Sequence, residues 1–185
     1  MPVTIGGKPE STFADPIGLL SDCHRRIERF LGVLVQLGTQ AHGGALTDAQ
    51  RASLETALRY FREAAPKHTA DEEQTLFPRL RSLNRPELGA LLERVDSLEN
   101  DHALADQHHS VVDRLGQAWL AVGSLAPADA ARFSELVQGL TDLYRAHIAV
   151  EESEVFPAAA AVLAQSEREA MGSEMAARRG ARRLP

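Results

Sequence analysis

One cysteine, Cys23, stands in the 185 residues. That excludes an intramolecular disulfide, and no CxxC spacing offers a zinc or redox dithiol. A chain of this length buries enough surface to hold a single domain without such staples, and the expected compartment is the reducing cytoplasm. Long apolar runs are missing as well. The opening MPVTIGGKPESTFADP has no apolar stretch behind a basic one, so neither a secretory leader nor a membrane span is expected. There is no basic excess: the formal net charge is -6. Setting aside Arg178, Arg179, Arg182 and Arg183 leaves 16 basic against 26 acidic side chains, a body at -10 that disfavours phosphate backbones and hence nucleic acid. The four arginines are expected to form a solvated, frayed terminus.

Two-residue alternation of β-branched residues is also absent, whereas apolar residues recur every three or four positions almost throughout. The class is therefore all-α. Asp15 before Pro16 reads as an N-cap with a first-turn proline, opening a helix that Gly43 and Gly44 stop. Thr47 and Gln50 form a capping box for a second helix from Asp48 to Phe77, kinked at Pro66 and ended by Pro78. A third helix runs from near Asn84 and Pro86 to about Val122. A fourth runs from Pro127 to about Phe156, before Pro157. Ser166 and Glu169 read as the capping box of a short fifth helix ahead of Gly180. Short connections favour an up-down-up-down four-helix bundle. The expected organisation is a flexible segment over 1–14, the bundle over 15–165, and a short C-terminal helix with a basic tail over 166–185.

The chain contains an internal repeat. HTADEEQTLFP at 68–78 and HIAVEESEVFP at 147–157 share His, two Glu, Phe and Pro at the same offsets. A lone histidine, His24 or His102, precedes each copy at nearly the same distance. Residues four apart share a helix face, so His68 with Glu72 and His147 with Glu151 each aim an imidazole and a carboxylate at one point. At about 1.5 Å of rise per residue, His24 lies roughly 12 Å from one bundle end, and His68 and His147 lie roughly 13.5 Å from it. His102 lies roughly 22 Å along its helix, so the third helix must overhang the others by some two turns. A single HxxxE is more often an ordinary solvated pair. Two copies at matched depth, in register with two further histidines, point to a metal, because burying so many ionisable groups without one is costly.

Imidazole and carboxylate without thiolate suit iron, manganese or zinc. Carboxylates that can bridge favour two ions, since one tetrahedral zinc would use only about four ligands. Ferritin-like di-iron bundles need ExxH on two helices. Only Glu99 with His102 has that spacing; Ala65 and Tyr144 stand three residues before His68 and His147.

On PIGLLSDCHRRIERFL, KHTADEEQTLFP, LENDHALADQ and AHIAVEESEVFP the sequence resembles the hemerythrin, or HHE cation-binding, family of the bacterial type, over nearly the whole chain. The ending MAARRG resembles bacterial members too. The resemblance implies a non-haem di-iron centre with His24, His68, Glu72, His102, His147 and Glu151 as ligands, the two glutamates bridging the ions. Glu151 fits the bacterial pattern, whereas animal oxygen carriers place an acid one position later, where Glu152 stands. Oxygen carriers also have a second histidine where Asp106 stands, which puts dedicated oxygen carriage in question. Asp106 shares a helix face with His102 and is a candidate seventh ligand, beside a bridging oxide or hydroxide.

The resemblance implies a protein that binds, senses or reacts with dioxygen, nitric oxide or peroxide. The alternatives are an iron-handling or iron-centre repair module without turnover, and a metal-free helical interaction domain. His42 is too far along its helix to reach the site of His24. His108 and His109 follow His102 on its helix; His109 shares its face and reads either as a residue behind the ligands or as solvated. Tyr144 could donate a hydrogen bond toward the site or pack in the core. Phe77, Phe156 and Cys23 read as core.

Overall fold

The computed structural model describes residues 11–181. Residues 1–10 of the expected N-terminal segment, and Arg182 and Arg183 of the basic tail, lie outside the described residues. Asp15 accepts a hydrogen bond from the Gly18 backbone at 3.1 Å, and Pro16 opens α1 (Pro16–Ala41). His42 follows in the left-handed conformation at φ 47° and caps the helix ahead of the two glycines. The Thr47–Gln50 capping box is formed and starts α2 (Asp48–Glu63). The helix then breaks at Ala64, beside Pro66, whose missing N–H prevents an unbroken ladder. It resumes as α3 (Ala65–Asp71).

Pro78 does not end this rod. Glu72–Leu76 forms a turn of π-helix, in which the Phe77 N–H bonds to the Glu72 carbonyl, and α4 (Phe77–Ser82) continues beyond it. The wider turn restarts the hydrogen-bond ladder, so Pro78 falls in the first turn of a new segment, where a missing donor costs nothing. A short 3₁₀ turn, Pro86–Leu88, leads into α5 (Gly89–Val122), which Gly123 closes at φ 89°. The fourth rod repeats the pattern of the second: α6 (Pro127–Val150), a π turn at Glu151–Val155, then α7 (Phe156–Val162), again running past its proline.

The last helix, α8 (Gln165–Arg178), is present, but its expected capping box is not. The helix begins one residue before Ser166, which places that side chain inside the first turn, and Glu169 instead accepts from Gln165 at 2.9 Å.

In sequence around the bundle, α1 packs on α2, α2 on α5, α5 on α6 and α6 back on α1, a closed ring of four rods. Two apolar clusters fill it. One holds Ile27, Leu31, Leu58, Trp119 and Phe133; the other holds Leu20, Leu76, Phe77, Val95 and Phe156. All the histidines of the repeat lie in sequence between members of the two clusters, in a buried polar layer. The expected overhang of the third helix alone is replaced by an overhang of three rods beyond α1. α8 occupies the space this leaves, packing on α1, α3 and the first π turn and burying Met171 and Met175. Gly172 lies so close to the Phe13 carbonyl that a Cβ would collide with it, and this close approach seats Phe13 against α8. Among the described residues, no helix is long and apolar enough to cross a membrane.

Candidate metal centre

Each rod delivers one imidazole to the polar layer, and the second and fourth rods each add a carboxylate. His24 comes from α1, His68 from α3, His102 from α5 and His147 from α6; Glu72 and Glu151 open the two π turns. All six are buried, both glutamates completely. Their ligand atoms form two overlapping groups, each within 4.8 Å: His24, His68, Glu72 and Glu151, and Glu72, His102, His147 and Glu151. Both carboxylates belong to both groups. Glu72 faces His68 at 3.2 Å and, through its other oxygen, His102 at 3.4 Å; Glu151 faces His24 at 3.0 Å and His147 at 3.2 Å.

Close approach has not produced hydrogen bonds for most of these atoms. All four oxygens of Glu72 and Glu151, with Nε2 of His24 and of His147, are buried without a hydrogen-bond partner among the described residues. An unsatisfied buried carboxylate costs several kcal/mol, whereas a cation placed among these atoms would satisfy oxygens and nitrogens together. The donor set therefore fits one ion in each group with the carboxylates shared.

The outer ring nitrogens are mostly held by further acids. His24 Nδ1 is 2.9 Å from Glu152, His102 Nδ1 is 2.9 Å from Glu73, and His147 Nδ1 is 3.4 Å from Asp101. Such contacts fix the tautomer that presents Nε2 inward. His68 Nδ1 has no hydrogen-bond partner among the described residues. The repeat thus uses its paired glutamates in two ways: the first of each pair turns inward, and the second crosses to the lone histidine of the other half. The phenylalanines cross likewise, Phe77 lying flat against His102 at 6.5 Å and Phe156 against His24 at 5.3 Å.

Burial disfavours the His24 imidazolium, but Glu151 and Glu72 outweigh it and hold its pKa up at about 11. His102 is likewise depressed by burial and raised more by Glu72 and Glu73, to about 9. Burial, the larger effect, keeps His68 below its ordinary value. Glu72 is buried too, yet the surrounding His68, His102 and His24 hold it well below the usual carboxylate range.

The other candidates fall elsewhere. Asp106 is exposed, belongs to neither group of ligand atoms, and lines a cleft that leads to His102. Glu152 lies on the outer side of His24. His42 is at the end of α1, and His108 is half-buried. His109 does not face solvent: it stacks on Phe61 at 4.3 Å and meets the Tyr144 hydroxyl at 3.3 Å. Cys23 is buried, and burial pushes its thiol pKa up. Arg178 and Arg179 are docked rather than frayed, because both guanidinium groups hold the fully buried Asp71, immediately before Glu72.

Glu73, Glu152 and Asp101 are not foreseen from the sequence as the acids that hold the outer nitrogens of these histidines. The EE doublet in each repeat was the available signal for the first two, and the Asp-His pair at 101–102 for the third.

Compared with known proteins, residues 15–159 match the family model described as the hemerythrin HHE cation binding domain. A protein of Haemophilus influenzae, itself described as uncharacterized, is 29% identical over 174 residues, which cover 91% of this chain and 92% of that protein.

Proposed function

The chain belongs to the hemerythrin HHE cation-binding family, and on that premise we propose that it is a non-haem di-iron protein that binds or reacts with a small oxidant such as dioxygen, nitric oxide or peroxide. The observation that carries this reading is the sharing of Glu72 and Glu151 between two four-residue groups. A single-ion site would leave part of that set buried and unsatisfied.

Four imidazoles and two shared carboxylates would hold the ions, one beside His24 and His68, the other beside His102 and His147. Bound there, a pair of irons supplies one- and two-electron exchange with a small oxidant. The chain's own part is to bury the layer between two apolar clusters and to hold protons on the outer ring nitrogens through Glu73, Glu152 and Asp101. Fixed tautomers and buried carboxylates mean that little must rearrange when charge develops.

An optical spectrum of iron-loaded protein, recorded before and after adding dioxygen, peroxide or nitric oxide, tests the reading. Charge-transfer bands that change with at least one of these are expected. Iron-loaded protein whose spectrum responds to none of them would leave an iron-handling role instead, and protein that takes up no iron would overturn the proposal.

A further inference from the structure

The two halves of the polar layer carry the same ligands but different walls. Three residues after the lone histidines stand Ile27 and Ala105. One residue after the paired histidines stand Ile148 and Thr69, and three before them Tyr144 and Ala65. The larger members Ile27 and Ile148 are buried in the core and line no part of the cleft, whereas Tyr144, also buried, faces α5 and borders it. Where α2 and α3 meet α5, the smaller members, Ala65, Thr69 and Ala105, leave a cleft of about 310 Å³ that reaches His102. The neighbouring groove between α1 and α3 is closed: α8 packs on both helices, and Arg178 and Arg179 clasp Asp71.

Tyr144 forms one wall of the cleft, with its hydroxyl 3.3 Å from Nε2 of His109. Burial, aided by His108, lowers the His109 pKa to about 4, so the ring is neutral at pH 7. In the tautomer that carries its proton on Nε2 the imidazole donates to the phenol oxygen and the phenol O–H is free to donate into the cleft; in the other tautomer the phenol O–H donates to Nε2. Glu73, Glu99 and Asp106 line the same cleft. Glu99 is paired with Arg81 and Glu73 with His102, while Asp106 has no ion-pair partner among the described residues. Acidic groups at the opening repel anions and leave neutral molecules unhindered.

We propose that this cleft is the port through which a small neutral oxidant reaches the His102 and His147 side of the centre, and that the Tyr144 hydroxyl donates a hydrogen bond to it there. The inference rests on the di-iron reading, but the port can be tested without iron. Xenon bound to the metal-free protein should sit beside Phe61 and Ala105 and be displaced in Ala105→Ile, which copies Ile27. In iron-loaded protein, nitric oxide should associate at least about tenfold more slowly with Ala105→Ile and with the more exposed Thr69→Ile, at unchanged iron content. Tyr144→Phe should leave association alone and speed dissociation roughly three- to tenfold, the worth of one hydrogen bond. Asp106→Asn should quicken azide association and not that of nitric oxide.

No xenon in the cleft, or unaltered nitric oxide association in both isoleucine variants, overturns the port. Unchanged dissociation in Tyr144→Phe removes the donor, and an unchanged azide rate removes the charge filter. Protein that binds xenon in the cleft but no iron would overturn the di-iron reading and leave the cleft as a binding site for small apolar molecules.

Discussion

Glu151 and Glu152 are adjacent in the chain and serve different ends. Glu151 faces two imidazoles inside the layer, while Glu152 holds the outer nitrogen of His24. Replacing each by alanine should separate the roles. Glu151→Ala is expected to lose at least one metal per chain, whereas Glu152→Ala keeps both and binds the ion beside His24 roughly 10- to 100-fold more weakly; competition against a chelator of known affinity reads the difference. Equal losses in the two variants would place both carboxylates in the same role. A pH dependence follows at the same scale. Without metal, the facing carboxylates outweigh burial and hold His24 up at about 11 and His102 at about 9, above the ordinary 6.5. Protons held more tightly folded than unfolded stabilise the fold below the ordinary value, and that stability is lost as pH rises through 9 and then 11. The metal-free melting temperature should therefore fall across this window, and the metal-loaded one should fall less, since the ions replace those protons. Parallel curves for the two forms would contradict the assignment.

Among the elements, the helices of the four rods were legible because their caps and stops are local chemistry: Asp15 with Pro16, Thr47 with Gln50, Gly123 after Val122. The ends of the second and fourth rods were not. Pro78 and Pro157 are strong local stop signals, and what overrides them is a π turn, whose register depends on drawing Glu72 and Glu151 into the layer. The same limit hid the partners of α8. Its arginines looked like a charged tail because the acid they bind, Asp71, is more than a hundred residues away in the chain. Asp71 is fully buried and both arginines are partly exposed, so removing the arginines strands a buried charge. Arg178→Ala with Arg179→Ala should cost about 3 kcal/mol in denaturant unfolding, and more than Asp71→Asn, which leaves only partly exposed cations. The reverse order would show that the clasp is not what holds α8 in place.

For the whole molecule, the repeat makes the clustering of the candidate ligands readable in the sequence. Two copies of one motif, each with a lone histidine ahead of it, place His24, His68, Glu72, His102, His147 and Glu151 in one buried layer. What distinguishes the two sides of that layer was not readable in the same way, because it depends on which helices touch: Ala105 and Ile27 are ordinary core residues until one is seen to border a cleft and the other to fill a seam. The central claim is two ions sharing two carboxylates. Anomalous diffraction at the iron edge from crystals of iron-loaded protein tests it most directly. The expected map has two peaks flanking the Glu72 and Glu151 carboxylates, one beside His24 and His68 and the other beside His102 and His147; a single peak, or two peaks that do not share those carboxylates, would contradict it.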